Sequence, residues 1–155
     1  MAVFSEETTT LLYHAEWHES WNIDTTEYKE VLESEGYSIY PTVMNFLSSF
    51  GGLHVKYPHK RVPRLEDDFH FNVPEAVANI YPERVKDYSD RVGVPLCIIG
   101  ESNRVHMVLM MAPEGKVYAG YDEFMVFVGD SGVDAIEALC SGRDLVEIPF
   151  IESDG

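Results

Sequence analysis

Residues 46–53, Phe46-Leu47-Ser48-Ser49-Phe50-Gly51-Gly52-Leu53, close an apolar run on two glycines and pass at once into an extended stretch. Upstream, Val43, Phe46, Leu47 and Phe50 are spaced i, i+3, i+4, i+7, the buried stripe of a packed helix, with Pro41 tolerated in its first turn. Downstream, Leu53-His54-Val55-Lys56-Tyr57 alternates apolar and polar as a half-buried strand does. The junction therefore reads as helix, glycine stop, strand. Gly51 is expected to take the positive φ of a helix C-cap, and Gly52 to extend the sharp exit. A phosphate-cradling loop needs the opposite order, a strand leading through glycines into a helix N-terminus. No Gly-Lys-Ser/Thr follows, so the pair is structural.

Towards the N-terminus the pattern is helical. Ser5 before Glu6-Glu7 predicts a capped helix reaching about His14–Trp17. Asp24-Thr25-Thr26-Glu27 resembles a capping box, opening a second helix that Gly36 ends. Tyr28, Val31 and Leu32 form its apolar face. Towards the C-terminus strands dominate. Residues 58–68, with two prolines, a basic and then an acidic cluster, read as an exposed loop. Phe69–Asn72 is expected as a short strand, and Pro74 and Pro82 each open a helix. Pro95–Gly100 and Val105–Met111 are continuously apolar, as central strands are. Ala112–Gly115 turns into a hairpin strand at Lys116–Ala119. Phe124–Val128 is a further strand, and Asp130 or Ser131 caps a closing helix through Val133, Ile136, Leu139 and Cys140. Helices first, then a mainly antiparallel meander with a C-terminal helix packed on it, predict an α+β fold in one domain over residues 1–155.

Composition excludes several function classes. The formal net charge is −16, and it sits at the two ends of the chain. Residues 1–36 carry nine acids and one base, Lys29; residues 37–120 balance; residues 121–155 again carry nine acids and one base, Arg143. Such a field repels nucleic acid and membrane surfaces and favours encounter with a basic protein. The blander reading is that acidity keeps the chain soluble. No apolar run approaches the roughly 18–20 residues that span a bilayer, and the N-terminus lacks the basic start and apolar segment of a signal peptide. The cytoplasm is the expected compartment. Cys97 and Cys140 lie in apolar runs and read as buried, reduced thiols.

Candidate chemistry is thin. Gly129-Asp130-Ser131-Gly132 spells the surroundings of a serine-protease nucleophile, but it joins a strand to a helix, where Asp and Ser are ordinary caps. His14 and His18, four apart, could face one metal ion across a helical turn, yet no third ligand is near. His106, read as mid-strand, is expected to be a satisfied sheet histidine, and the methionines Met107, Met110 and Met111 are expected core residues. No nucleophile, base and oxyanion donor assemble, so no catalytic residue, no metal and no cofactor is expected.

The order of segments nevertheless resembles the SUKH superfamily, and within it the third group of bacterial immunity proteins, from about Leu11 to Leu145. The resemblance is carried by ESWNIDTTEYKEVLESEGY (19–37), PTVMNFLSSFGGLHV (41–55), FHFNVPEAV (69–77), VGVPLCIIGESNRVHMVLMMAPEGKVYAGYDEF (92–124) and FVGDSGVDAIEALCSGRD (127–144). Its most diagnostic piece is Phe50-Gly51-Gly52-Leu53. One departure stands out: family members usually carry a short insert with Gly and Arg after the first Trp, whereas Trp21 leads directly through Asn22 and Ile23 to Asp24.

The resemblance implies a non-enzymatic domain that binds a cognate secreted polymorphic toxin, in this superfamily frequently a nuclease or nucleic-acid deaminase, and blocks it. The alternative implied by fungal relatives is a regulatory adaptor binding an endogenous protein or peptide. A toxin with a basic nucleic-acid groove would be met by acidic surfaces. The expected partner-binding residues are Asp122, Glu123, Asp130 and Asp134 near the elements that close the sheet, or Glu27, Glu30 and Glu33 on the second helix. Trp17 and Trp21 are the apolar anchors to consider if binding proves insensitive to salt.

Overall fold

The structure is a computed structural model and describes residues 4–59 and 61–149. Three helices come first, α1 (Glu6–His14), α2 (Thr26–Ser34) and α3 (Pro41–Phe50). Strands β1 (His54–Pro58) and β2 (Glu66–His70) follow, then helices α4 (Val73–Ala78) and α5 (Pro82–Val92). Strands β3 (Cys97–Ser102), β4 (Met107–Met111), β5 (Val117–Tyr121) and β6 (Phe124–Gly129) lead to α6 (Gly132–Ser141) and the two-residue β7 (Val146–Glu147). The seven strands form one sheet in the order β1-β2-β3-β4-β5-β6-β7, every neighbour antiparallel. The fold is α+β, as the order of patterns predicts.

Helices cover both faces. Every residue of β3 and β4 is buried, which a strand needs for an unbroken apolar run such as Met107–Met111. On one face α3 and α6 meet so closely that a Cβ at Gly132 would lie 2.2 Å from the Phe46 ring. Phe46 also packs edge-on against Phe71, with centroids 4.9 Å apart. On the other face the Tyr88 ring of α5 occupies the space above Gly120 of β5, where a Cβ would be 2.7 Å away. The start of α1 is tied to α6 by Glu137, whose carboxylate accepts from Ser5 N at 2.6 Å and from the Thr8 hydroxyl at 2.8 Å.

The glycine hinge is real, but its two residues exchange roles. Gly51 has φ −59°, and Gly52 carries the positive φ, +80°. Gly51 is required by close approach: a Cβ there would lie 2.4 Å from the Leu47 carbonyl oxygen and 2.5 Å from Ile23 Cδ1. The tryptophans close over this helix end. Trp17 Nε1–H donates to Ser49 O at 3.0 Å and Trp21 Nε1–H to Gly51 O at 3.1 Å, while the Trp17 ring stacks on Phe50. Each indole thus satisfies a backbone carbonyl at the end of the α3 segment.

Other boundaries move for identifiable reasons. Asp24 does not form a capping box with Glu27; it accepts from Thr26 N and the Thr26 hydroxyl, a turn placed just before the helix. The strand expected at Phe69–Asn72 begins at Glu66, because Glu66, Asp67 and Asp68 pair with Pro58, Tyr57 and Lys56, shortening the loop expected over 58–68. The strand expected at Val105–Met111 begins at Met107, since Asn103, Arg104 and Val105 all have positive φ. His106 is therefore an exposed turn residue and not a sheet histidine. Ser131, of the two residues considered, caps α6, accepting from Asp134 N at 3.0 Å.

Candidate functional site

The seven acids singled out in the sequence fall into three places. Asp122 and Glu123 are the two-residue turn of the β5–β6 hairpin, between the paired Tyr121 and Phe124. Asp130 and Asp134 lie past the opposite end of β6, at the start of α6. Six strand residues separate the two groups, roughly 20 Å at about 3.3 Å per residue. The structure does not bring them together. Glu27, Glu30 and Glu33 lie exposed on α2, spaced three apart on one helix face, with Lys29 between the first two in sequence.

These acids differ in what they are already doing. Asp134 is occupied: it accepts from Asp130 N at 2.9 Å and pairs with Arg143 through contacts of 3.2 and 3.0 Å. The Arg143 hydrogen bond, and then that backbone N–H, hold its carboxyl below the ordinary aspartate range. Asp122 and Glu123 make no side-chain hydrogen bond or ion pair among the described residues, while their backbone is braced. The Tyr88 hydroxyl donates to Asp122 O at 2.7 Å, and Arg91 donates to Glu123 O at 2.9 Å. Tyr121 is 48% and Phe124 37% exposed, with ring centroids 5.4 Å apart. The hairpin end therefore presents two aromatic rings and, on a fixed backbone, two carboxylates unpaired among the described residues. The α2 face presents acids without an exposed large apolar side chain.

One polar cluster went unseen in the sequence. Cross-strand register sets His54, His70 and Glu101 side by side on β1, β2 and β3. His70 and Glu101 are buried, and His70 Nε2 lies 2.9 Å from Glu101 Oε1. Asn79 donates to both Glu101 oxygens, at 3.2 and 3.0 Å, and Glu75 lies 3.9 Å from His70 Nε2. His70, Glu75 and Glu101 have the chemistry of a metal-ligand set, within 4.8 Å of one another. The donor pattern argues against that use. His70 Nδ1 accepts from Asn72 N at 3.0 Å, so the imidazole proton sits on Nε2 and is donated to Glu101. A cation at Nε2 would need that proton removed from an imidazole whose other nitrogen is already an acceptor. The cluster is a hydrogen-bonded network, buried at His70 and Glu101 and open to solvent at Asn79 and Glu75, that ties the end of α4 to the sheet. No local motif marks it, because its members are brought together by register.

The remaining candidates are accounted for by structure. Helix α1 ends at His14, and Glu16 has positive φ, so His14 and His18 do not share a helical face. Cys97 and Cys140 are free thiols, both pushed up to about 12 chiefly by burial, the opposite of an activated thiolate. Trp17 and Trp21 are half-buried against the core and spend their N–H groups on the end of the α3 segment. A cleft of about 650 Å³ between residues 35–38 and α5 is lined by Tyr37, Val85, Lys86 and Leu96 among others. Its Lys86 is paired with Asp90 at 3.0 Å, and its Ser89 hydroxyl donates to Val85 O at 2.8 Å. No helix among the described residues is long and apolar enough to cross a membrane.

Comparison with curated proteins and with solved structures gives no match. A family model described as SUKH-3 immunity protein matches residues 4–142, from the start of α1 through α6 and thus across the helical front, the glycine hinge and the meander. With that match covering most of its length, the chain belongs to the SUKH-3 immunity protein family.

Proposed function

We propose that this protein is a cytoplasmic antitoxin that binds a cognate secreted polymorphic toxin domain and blocks it by stoichiometric binding, without turnover. The observation that carries the reading is the family match over residues 4–142. Charge supports the finer part. Two acidic ends on a chain of net charge −16 suit a toxin with a basic substrate groove, as a nuclease or nucleic-acid deaminase has. The protein supplies carboxylates where the toxin's substrate would supply phosphates. Binding does the work, and no residue here is assigned a catalytic role.

The test is to mix the purified protein with the toxin domain encoded beside its gene and follow both complex formation and toxin activity. Complex formation with loss of toxin activity is the expected result, with affinity falling as salt rises from about 50 mM, because surface charges are screened beyond a Debye length of about 10 Å at 0.1 M. Absence of binding at low and moderate salt refutes the reading.

A further inference from the structure

We infer that the exposed aromatic pair Tyr121–Phe124 at the end of the β5–β6 hairpin is the anchor of the partner interface, and that its occupant is an arginine-bearing surface of a basic protein. The inference deepens the proposed function, resting on it for the occupant's being a protein. Tyr121 and Phe124 are directly paired across the hairpin and so project from the same face of the sheet. Two residues along, Val126 shares that face and pairs with Glu147 of β7, which sets a further exposed carboxylate beside the rings. Asp122 and Glu123 close the patch at the turn, with side chains unpaired among the described residues.

Interface centres are made by rigid aromatic groups, and surrounding charges set the choice of partner. The hairpin end supplies both. Its backbone is fixed by the Tyr88 hydroxyl on Asp122 O and by Arg91, whose guanidinium also reaches Ile148 O at 3.4 Å and so joins the turn to the segment after β7. Asp122 has φ +47°, a conformation that Asp tolerates better than most side chains. Little order remains to be gained on binding, which lowers the entropic cost. Arginine is the side chain that answers this surface: its planar cation lies over an aromatic face and its N–H groups reach carboxylates in the same contact. The α2 acids lack the rings, and Asp134 already holds Arg143.

The experiment needs no toxin. The isotopically labelled full chain is titrated with the blocked peptide acetyl-Gly-Arg-Arg-Gly-amide, and backbone amide shifts are followed by NMR. Saturable shifts centred on residues 120–125 and 147 are expected. They should weaken at least 10-fold in Tyr121→Ser/Phe124→Ser and several-fold in Asp122→Asn/Glu123→Gln, and persist in Glu27→Gln/Glu30→Gln/Glu33→Gln. Shifts centred on α2 with the hairpin unmoved, or no saturable shift anywhere, overturn the inference. So does a concentration-dependent dimer that Phe124→Ser dissolves, which would give the patch to a second copy of this chain. Both substituted rings are surface groups, and a thermal melt of each variant establishes that the fold is kept. A toxin that fails to bind while the peptide still maps to the hairpin would remove the antitoxin reading and leave the hairpin as a site for another cationic protein.

Discussion

An alanine at position 51 would drive its Cβ into the Leu47 carbonyl oxygen and Ile23 Cδ1, and the carbonyl cannot move without unwinding the last turn of α3. At position 52 the nearest atom to a new Cβ is the Tyr28 hydroxyl at 3.7 Å, and the cost is only that of holding a side chain at φ +80°. Gly51→Ala is therefore expected to lose about 2–3 kcal/mol by overpacking, and Gly52→Ala about 1–2 kcal/mol from the left-handed backbone. Urea unfolding of the two variants measures the order; Gly52→Ala proving the costlier would contradict the assignment of roles. Sequence alone placed the hinge and read its polarity correctly. It could not say which glycine turns and which is crowded, because the crowding atom Ile23 Cδ1 comes from the segment before α2.

At the scale of elements, local pattern located the six helices and all but one of the strands among the described residues, and erred where a distant segment decides. The turn between β3 and β4 is the clearest case. Val105 looks like the first residue of a strand, yet it stands at φ +62° and is 48% exposed. The turn is held from β2: Asp68 accepts from Asn103 N and Arg104 N, and the Arg104 guanidinium donates to Glu66 O. A β-branched residue is poorly suited to that backbone, so Val105→Gly should stabilise the protein by about 1 kcal/mol, read as a raised unfolding midpoint with unchanged slope. A loss of stability would mean that the turn is not left-handed in solution. Strand β7, only two residues long, escaped because its pairing to Val126 and Phe127 depends on how the chain returns after Gly142.

The start of α6 carries a dependence on pH. Asp134 is held below its ordinary range by Arg143 and by Asp130 N. A carboxylate depressed in the folded state stabilises it above the unfolded value, near 3.9, and loses that contribution as pH falls through the lower folded value. Asp134→Asn should narrow the gap between stability at pH 7 and at about pH 3, measured by thermal melts across that range. An unchanged gap would show that the pair with Arg143 adds nothing in solution. Because the pair is exposed to solvent, the effect is expected to be small.

Over the whole molecule, charge and topology divide the work. The neutral middle of the sequence, residues 37–120, contains α3 to β4 and all of β5 but Tyr121, and so most of the sheet, while the two acidic ends supply α1 and α2, and β6, α6 and β7. The fold and the distribution of charge were legible in the sequence, since both are written in local pattern and count. The placement of acids relative to one another was not. Asp122 and Asp134 look like neighbours on the chain but stand at opposite ends of β6, and the exposure of Tyr121 and Phe124 is a matter of packing that no local pattern marks.

The central claim is binding that silences a toxin one for one. Its most direct measurement is a titration of a fixed concentration of the adjacent-gene toxin domain with this protein at low salt, well above the dissociation constant, with residual toxin activity as the readout. Activity should fall linearly to zero at one equivalent, and the break should soften as salt is raised. Activity unaffected by an excess of the protein, or toxin consumed at far less than one equivalent as turnover would produce, would contradict it.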